Sequence, residues 1–328
     1  MINAIGVADG DHWRQCLALG AGVTVAAGPM MGEVPLAALS VVIPTCRRID
    51  ALRTTLVRLG ACVPAPAEVI IHVDAGDDVT AAMLAAEFPQ VRCLTAERPQ
   101  GPGGARNLLI REARYGIVVS LDDDSYPMER DFFARVPSGF DTHPRVGVLA
   151  MTIVHDGETA PPLEARAEEV ADFIGCGCAY RRAAFLETSG YVPLHPAYGM
   201  EEADLALQLI DRGWQIAHRH DLRVRHVTDR SHQTSPKIVA AHIRNTALLA
   251  FLRYPVRLTG LGLVQVANRV LYSTLRGHLW GVARGLASIP CTLLRHRAAR
   301  RPVAAGTVAA VRLLRRAPMA LPLMKAAE

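Results

Sequence analysis

The chain has 328 residues, of which 50% are hydrophobic and 20% are charged. This composition is typical of a globular protein and excludes an intrinsically disordered one, and the length fits one large domain with an appendage or two modest domains. The formal net charge of +5 conceals an asymmetry, because thirteen basic residues and a single acidic residue lie from Arg253 onward. The 23 basic and 30 acidic residues before Arg253 make the body acidic, so body and tail are expected to meet different partners.

The seven cysteines lie mostly in apolar runs and form no CxxC pair. Their odd number argues against a disulfide framework, and we expect buried free thiols in a reducing compartment. No signal peptide is visible, because Asp9 and Asp11 precede any apolar stretch, and the uncharged segment between Arg14 and Glu33 is a poor transmembrane candidate. We therefore expect a cytoplasmic protein whose residues 1–37 form a strand or loop at the edge of the core.

In the first half of the chain, apolar strand patterns alternate with helical patterns. The predicted elements are a strand at 39–44, a helix at 47–60, a strand at 68–74, a helix at 79–88, a strand at 91–94, a helix ending near 113 and a strand at 116–121. This alternation predicts an α/β fold with a doubly wound, mostly parallel sheet covered by helices on both faces. In such sheets the ligand lies at the carboxyl ends of the strands, where the polar turns 44–47, 74–78 and 122–124 fall.

The second half of the chain is less regular. Its patterns predict a strand at 146–154, a helical stretch at 164–173, a helix at 182–188, a helix from 201 to 213 and a strand at 215–217 leading to 223–226. From about residue 236 the chain is predicted to be helical and to be divided by Pro255, Pro290, Pro302 and Pro318. These patterns give three regions: an N-terminal segment (1–37), a sheet domain (38–254) and a basic, largely helical C-terminal region (255–328).

Three adjacent carboxylates, Asp122, Asp123 and Asp124, directly follow the apolar strand 116–121. They repel one another, and burial would raise their pKa values unless a cation were present. A divalent metal with oxygen ligands resolves this conflict and can also bridge to phosphate groups. A solvated acidic loop that caps the next helix is the alternative, but the position at the binding edge of a parallel sheet favours a metal site.

A second acidic group, Glu201, Glu202 and Asp204, begins a predicted helix. Acidic residues in a first turn complement the helix dipole and need no catalytic purpose. A carboxylate here could instead take the proton of an acceptor, and neighbouring acids would help by raising its pKa. His226 is likewise either a structural residue or, if Asp124 lies nearby, a metal ligand.

The glycine-rich segment 101–107 precedes a helix and contains Arg106. Glycines allow the backbone to approach a phosphate or ribose closely, and the arginine could donate hydrogen bonds to such a group. The segment matches neither the dinucleotide-binding GxGxxG pattern nor the P-loop, since no Lys-Ser or Lys-Thr pair follows it. Alone it is a weak indication of a nucleotide.

Taken together and in order, eight short segments resemble the family 2 glycosyltransferases, which are inverting enzymes of the GT-A fold. The segments are 40–45, 69–74, 103–107, 121–124, 175–182, 199–205, 213–217 and 223–226. Each is only moderately specific, but their order over residues 39–254, about two thirds of the chain, is highly specific. A further stretch, 244–255, resembles the segment that closes many of these domains.

The resemblance implies a nucleotide-sugar donor and a divalent metal, manganese or magnesium. It assigns nucleotide-sugar binding to Pro44, Thr45, Asp74, Arg106, Asp122, Asp123, Glu201 and Asp204. It makes Asp122–Asp124 the DxD motif of the family, with Asp122, Asp124 and His226 as metal ligands. Glu202 stands where the family has the second acid of its Glu-Asp pair, and the resemblance makes it the catalytic base.

Two departures from the family pattern concern the nucleobase. Ala75 follows Asp74 where the family usually has Asp or Asn, and Cys46 replaces a common aromatic residue that would stack on the base. Base recognition is therefore less defined, although a UDP-sugar is the expected donor. At the base position, Glu202 in place of Asp keeps the carboxylate and adds one methylene group.

We therefore predict a glycosyltransferase that moves a sugar from a nucleoside-diphosphate sugar to an acceptor hydroxyl with inversion. The acceptor is expected to be a glycan, a lipid-linked molecule or a small molecule. The alternative is a catalytically inactive GT-A domain that serves as a binding or assembly module, but Asp124, Glu202 and His226 are intact. A dinucleotide-dependent oxidoreductase is disfavoured, because residues 44–47 lack the glycine fingerprint that would follow its first strand.

The tail, residues 258–316, combines apolar runs with regularly spaced arginines. Basic amphipathic helices on an anionic membrane surface fit this pattern and would place the protein at the inner face of the membrane. An oligomer interface, such as that of a homo-oligomer, or a helical cover on the sheet fits it equally well. Nucleic acid is not an expected partner, because the body is acidic and aromatic residues are sparse in the tail.

Overall fold

The computed structural model describes residues 4–5, 36–192, 194, 199–228 and 234–321. The first half of the chain contains β1 (Ala4–Ile5), β2 (Leu36–Thr45), α1 (Ile49–Gly60), β3 (Ala65–Val73), α2 (Asp78–Glu87), β4 (Arg92–Thr95), α3 (Gly101–Glu112), β5 (Ile117–Leu121), β6 (Ser125–Pro127), α4 (Phe132–Asp141) and β7 (Val146–His155). The second half contains β8 (Ala167–Glu169), β9 (Gly177–Arg181), α5 (Arg182–Leu186), α6 (Glu201–Asp211), β10 (Gln215–His226), α7 (Pro236–Arg253), α8 (Thr259–Leu275), α9 (Leu279–Arg295), α10 (Ala305–Leu314) and β11 (Met319–Leu321).

The described strands form one sheet in the order β1-β4-β3-β2-β5-β9-β7-β10-β8-β11, and β6 pairs with β10 outside this path. Strands β4, β3, β2 and β5 are parallel to one another, and β7 is parallel to β10. Strand β9 lies between these two groups and is antiparallel to both β5 and β7. Most of the described strands therefore point the same way. The prediction of a doubly wound, mostly parallel sheet with helices on both faces is confirmed.

The central strands are buried on both faces, which explains why their sequences are apolar throughout instead of alternating. In β2, Val41 and Ile43 pack into a core with helices α1, α2 and α4. Val42, between them, faces the opposite side of the sheet, where Leu109 of α3 and Leu205 of α6 complete a second core. Because the helices cover the faces, the polar residues that follow the strands are left at the edge.

The C-terminal region packs on the sheet domain and also adds a strand to it. Val308 and Val311 of α10 share a core with Leu207 of α6, and β11 pairs with β8 in antiparallel orientation. Helices α7, α8 and α9 form a small core of their own around Ile243 and Val282. Part of the basic tail is therefore a cover on the sheet domain, one of the roles that its sequence allowed.

Three local predictions were wrong. Residues 164–173 are not helical, because pairing of β8 with two strands distant in sequence, β10 and β11, outweighs the helix propensity of its Ala and Glu residues. The glycine-rich segment 101–107 does not precede a helix but forms the first turns of α3. Pro102 is tolerated there because the first helical turn needs no N–H donor. Pro290 lies inside α9 and does not end it; its exposed position lets water solvate the carbonyl group that loses its partner.

At the edge of the sheet, β1 pairs with β4, as expected for the N-terminal segment. The other predictions for that segment, including its uncharged stretch and Cys16, lie outside the described residues. The six described cysteines are free thiols, and four of them are buried. A helix long and apolar enough to cross a membrane does not occur among the described residues.

Candidate active site

The polar turns that follow β2, β3, β5 and β10 meet around one open cleft of about 720 Å³. The residues that line it are Pro44, Thr45, Cys46, Arg48, His72, Asp74, Gly101, Pro102, Ala105, Arg106, Asp122, Asp123, Asp124, Ile174, Cys176, Glu201, Glu202, His226 and Thr228. Of the residues that the sequence singled out for a site, all but Asp204 are among them. The cleft lies at the carboxyl ends of the parallel strands, where ligands bind in such sheets.

Asp122, the first carboxylate after β5, is held by the buried guanidinium of Arg106. Nη2 of Arg106 contacts Oδ1 of Asp122, and Nε of Arg106 donates to Oγ of Ser120 at 3.0 Å. Arg106 is only 3% exposed, whereas the Asp122 side chain is 31% exposed and faces the cleft. A buried cation thus contacts the most exposed of the three carboxylates.

Asp123 points inward, away from the cleft opening. Its Oδ2 accepts a hydrogen bond from Oγ1 of Thr45 at 2.9 Å, and its Oδ1 lies 3.0 Å from Nη1 of Arg48. Burial raises its pKa to about 7, although Arg48 and Thr45 act against this. Asp123 therefore anchors the end of β2 to the end of β5.

Asp124 is held between the side chains of Arg48 and His226. Its Oδ2 lies 2.6 Å from Nη2 of Arg48, and its Oδ1 lies 3.1 Å from Nε2 of His226. Burial acts to raise the pKa of this carboxyl, but contacts with His226 and Arg48 outweigh it and hold the pKa below the usual value. Asp124 is therefore ionised near neutral pH, in contrast to Asp123.

His226 reaches Asp124 because of strand pairing. The short β6 runs antiparallel to the end of β10 with Ser125 opposite His226, and the N–H of Val227 donates to the carbonyl of Asp124 at 2.9 Å. The predicted strand 215–217 in fact continues to His226 as β10. The condition that the sequence set for His226 as a ligand, proximity to Asp124, is met.

The donor atoms in this part of the cleft fit a hard divalent cation. One ligand atom each of Asp122, Cys176 and His226 lie within 4.8 Å of one another. The buried Oδ1 of Asp124 receives no well-directed hydrogen bond from the described residues, which leaves lone pairs available. The carboxylate oxygens of Asp122 and Asp124 are the type of ligand that manganese and magnesium prefer, and burial raises the pKa of the Cys176 thiol well above its usual value.

Glu201 and Glu202 enter the cleft from the start of α6. The chain turns into this helix through Gly199 and Met200, both left-handed at φ 69° and 78°. A Cβ on Gly199 would lie 2.6 Å from Nδ1 of His242, so only glycine fits there. This turn sets the direction in which the two carboxylates project.

The two glutamates are surrounded by few cations. Oε1 of Glu202 accepts a hydrogen bond from the N–H of Gly175 at 3.3 Å, and burial raises its pKa, with Arg106 as the main opposing charge. Burial and the adjacent Glu202 raise the pKa of Glu201 well above its usual value, and its buried Oε2 has no hydrogen-bond partner among the described residues. Glu202 is therefore the carboxylate of the pair that ionises first.

On the far side of the cleft, Asp74 joins two turns. Its Oδ1 accepts hydrogen bonds from the backbone N–H of Ala75 at 3.1 Å and of Gln100 at 2.8 Å. This ties the end of β3 to the start of α3, next to Pro44 and Thr45. Cys46, which is exposed, lies at the same end of the cleft, where the sequence lacks an aromatic residue.

Asp204 lies outside the cleft lining, in an ion pair with Arg253. Nε and Nη2 of Arg253 donate to its two carboxylate oxygens at 2.5 and 2.9 Å, and both residues are at most 3% exposed. Nε2 of Gln208 adds a third hydrogen bond at 2.8 Å. These contacts join α6 to the end of α7, so the position of Asp204 indicates a structural function.

The sequence did not single out Arg48 or Cys176, although both line the cleft. Arg48 follows Cys46 and Arg47 just before α1, where basic residues are unremarkable, and only the fold brings it to Asp123 and Asp124. Sγ of Cys176 lies 3.5 Å from Nδ1 of His226 across 50 residues of chain. The uncompensated charge of three adjacent aspartates was the one signal that called for a nearby cation.

The fold is the GT-A fold, which the chain shares with solved glycosyltransferases. The mannosyltransferase PcManGT from Pyrobaculum calidifontis, solved in complex with GDP-Man and Mn2+, has a TM-score of 0.53 and 16% identity, over 92% of this chain and 85% of that one. S. aureus TarS 1-349, in complex with UDP-GlcNAc, has a TM-score of 0.52 and 18% identity, over 65% of each chain. GalNAc-T7, solved with UDP, GalNAc and Mn2+, has a TM-score of 0.54 and 14% identity. The similarity covers 67% of this chain but only 48% of that one.

The sequence also matches a family of known enzymes. Residues 40–188, somewhat less than half of the chain, match the family described as Glycosyl transferase family 2, and the predicted resemblance to that family is confirmed. Succinoglycan biosynthesis protein ExoO of Rhizobium meliloti (strain 1021) is 38% identical over 77 residues. That stretch is 23% of this chain and 21% of ExoO, so the chain matches about a fifth of the length of this relative.

Proposed function

We propose that the protein transfers a sugar from a nucleoside-diphosphate sugar to an acceptor hydroxyl by one in-line displacement with inversion. The observation that carries this proposal is the placement of two unlike carboxylate groups in one cleft. Asp122 is paired with Arg106 and Asp124 has a lowered pKa beside Arg48 and His226, whereas burial raises the pKa of Glu202. The first arrangement suits a metal and a diphosphate, and the second suits a base.

Donor binding is proposed along the ends of β2, β3 and β5. Pro44, Thr45 and Asp74 would border the nucleobase, and Arg106 with Asp122 and Asp123 would lie beside the ribose and diphosphate. The complexes of PcManGT with GDP-Man and of TarS with UDP-GlcNAc support a nucleotide sugar as the class of donor. A UDP-sugar is the favoured donor of this chain.

A divalent cation, manganese or magnesium, would be held by Asp122, Asp124 and His226. When bound, it supplies positive charge that stabilises the leaving diphosphate. Arg48 contacts Oδ2 of Asp124, and Oδ1 faces Nε2 of His226. A cation would replace this contact between Oδ1 and Nε2. The Mn2+ present with PcManGT and GalNAc-T7 supports this type of site.

Glu202 is proposed as the base that accepts the proton of the acceptor hydroxyl. As the hydroxyl oxygen bonds to the anomeric carbon, its proton moves to the Glu202 carboxylate, and the bond from that carbon to the diphosphate oxygen breaks. Burial raises the pKa of Glu202, which strengthens it as a base, and burial together with the adjacent Glu202 raises the pKa of Glu201 well above its usual value. A single displacement inverts the anomeric centre.

The acceptor is proposed to be a hydroxyl of a glycan or of a lipid-linked molecule at the cytoplasmic face of the membrane. The similarity to ExoO, a succinoglycan biosynthesis protein, supports a saccharide as the acceptor class. The start of α6 and the turn at Gly199 lie beside Glu202, so the acceptor would enter on that side of the cleft.

A nucleotide-release assay over a panel of UDP-, GDP- and dTDP-sugars, each with manganese, magnesium or a chelator, tests the proposal. We expect slow hydrolysis of one donor that requires a metal and that falls at least about a hundredfold in Asp124→Asn. Release that is equal with metal and with chelator would contradict the proposed metal site. Absence of both binding and hydrolysis for every donor would support an inactive GT-A domain instead.

A further inference from the structure

The hairpin formed by α8 and α9 is apolar on two sides. Its inward side packs on α7 through Val266, Val270 and Val282. Its outward side carries a second apolar set that the described residues do not cover, which consists of Leu263, Val264, Leu271, Leu275, Leu279, Trp280, Leu286 and Leu294, each between 43% and 77% exposed. An exposed apolar set of this size on two adjacent helices is typical of an interaction surface.

Three of these exposed apolar residues lie at the tip of the hairpin. Leu275, at the end of α8, is 77% exposed, and Leu279 and Trp280, at the start of α9, are 63% and 66% exposed. The turn between them is short, residues 276–278, so these side chains lie close together. Trp280 adds an indole group, which favours the boundary between water and hydrocarbon.

Basic residues surround this tip without any acidic neighbour in sequence. Arg276 lies in the turn with its guanidinium 4.6 Å from the centre of the Tyr272 ring, and Arg269 stands 6.0 Å from the same ring. From Tyr254 to Leu321 the sequence has no Asp or Glu. The surface therefore combines exposed apolar groups with uncompensated positive charge.

We propose that the tip of the α8–α9 hairpin inserts into the headgroup region of an anionic membrane. Leu275, Leu279 and Trp280 would enter the apolar boundary, while Arg269 and Arg276 would contact lipid phosphates. A second copy of the chain is a poorer occupant, because a two-fold symmetric contact through this face would bring arginines together without acids to pair them. The proposal stands independently of the transfer chemistry proposed for the cleft.

The hairpin is joined to the side of the cleft on which the acceptor would enter. A Cβ on Gly281 of α9 would lie 2.7 Å from Cβ of Val239 in the first turns of α7. Three residues further along α7, His242 packs against Gly199, which leads into Glu201 and Glu202. The hairpin is therefore linked through α7 to the turn that carries Glu201 and Glu202.

Sedimentation with vesicles tests this proposal. The full-length protein is mixed with vesicles of phosphatidylcholine alone or of phosphatidylcholine with phosphatidylglycerol, at low and at high salt. The variant Leu275→Glu/Leu279→Glu places charges at the tip, and Val79→Glu, a 69% exposed position on α2, is the matched control. We expect wild type and Val79→Glu to bind the anionic vesicles, and the double variant to bind at least about tenfold more weakly.

Salt and oligomeric state complete the test. Binding by wild type should weaken as salt is raised, and Arg269→Gln/Arg276→Gln should show a smaller dependence on salt. Failure of wild type to bind anionic vesicles at low salt, or equal binding by the double variant, would overturn the proposal. So would a dimer of wild type that Leu275→Glu/Leu279→Glu converts to a monomer without any vesicle binding, since the face would then be an interface between copies.

Discussion

The two groups of carboxylates in the cleft have similar chemistry but opposite surroundings. Asp122 and Asp124, after β5, are in contact with Arg106, Arg48 and His226. Glu201 and Glu202, at the start of α6, have the N–H of Gly175 as a hydrogen-bond donor and share the more distant charge of Arg106. Contacts with these partners lower the pKa of Asp124, and burial raises the pKa of both glutamates.

The difference shows how one fold separates two functions that both need carboxylates. A strand end is surrounded by other strand ends and the loops after them, so cations can converge on it. A helix start inserted into a core meets mostly apolar and backbone groups, so burial dominates there. The contrast between the strand-end and helix-start carboxylates can be tested by changing one member of each group.

The largest effect is expected for Glu202→Gln. The change removes the base and keeps the shape, so transfer should fall by about 10²–10⁴-fold while donor binding is retained. Initial rates with a saturating donor and a separate donor-binding measurement would show this split. Glu201→Gln is the matched control, and it should lose no more than about tenfold, because it keeps the shape of a side chain that is not the proposed base. Similar losses in both variants would show that the two glutamates do not differ in function.

A second prediction separates two members of the strand-end group. Asp124→Asn should raise the metal concentration needed for half-maximal activity by about 10–100-fold, because Oδ1 of Asp124 lies 3.1 Å from Nε2 of His226, the other proposed ligand. Asp123→Asn should have a much smaller effect, because Asp123 points to Thr45. Titrations with manganese at constant donor would compare the two variants. A larger shift for Asp123→Asn would reverse the proposed assignment.

The third prediction concerns the stability of the chain and not its activity. Asp204→Asn would leave the buried charge of Arg253 unpaired, and its cost should be about 3–5 kcal/mol of unfolding free energy. Urea denaturation would measure this loss. If Asp204 is structural, the activity of each folded molecule should stay near that of wild type at low temperature. Loss of activity without loss of stability would return Asp204 to the nucleotide-sugar site.

The smallest effect is a dependence of stability on pH. The pKa of Glu201 is higher in the folded chain than the unfolded value of about 4.3, so its contribution to stability is complete below that value and is lost as the pH rises through the folded pKa. Glu201→Gln cannot ionise and escapes this loss. The difference in unfolding free energy between Glu201→Gln and wild type should therefore grow in favour of the variant as the pH is raised from 5 to 8. The total growth should be about 1.4 kcal/mol for each unit by which the folded pKa exceeds the unfolded one, and melting temperatures would follow it. A constant difference over this range would contradict the raised pKa.

The sequence was informative where local pattern and burial act together. Strand β5 is apolar because both of its faces are covered, and Asp122–Asp124 are conspicuous because they follow it directly. It was misleading at 164–173, since the partners of β8 lie about 50 residues away in β10 and about 150 residues away in β11. Propensity acts over neighbouring residues and cannot report such pairing.

The same limit applies to the site. Glu202 and Asp204 occupy the same first turn, and nothing local distinguishes a residue that faces the cleft from one that faces Arg253, 49 residues later. Arg48 shows the reverse case, because its importance arises only when β2 and β5 lie side by side. Residue type and order indicated the class of chemistry, and the fold was needed to assign the partners.

Arg106 also bears on how the cleft responds to substrate. Ser120 and Asp122 contact the guanidinium of Arg106. Gly175 packs so closely against it that a Cβ there would lie 3.1 Å from Cζ of Arg106, so the guanidinium is held on both sides. Its charge is oriented when the chain folds, and the reorganisation energy that a mobile cation would require is absent from the reaction barrier. Changes at Ser120 or Gly175, which need not touch the sugar, are thereby linked to the rate through electrostatic preorganisation.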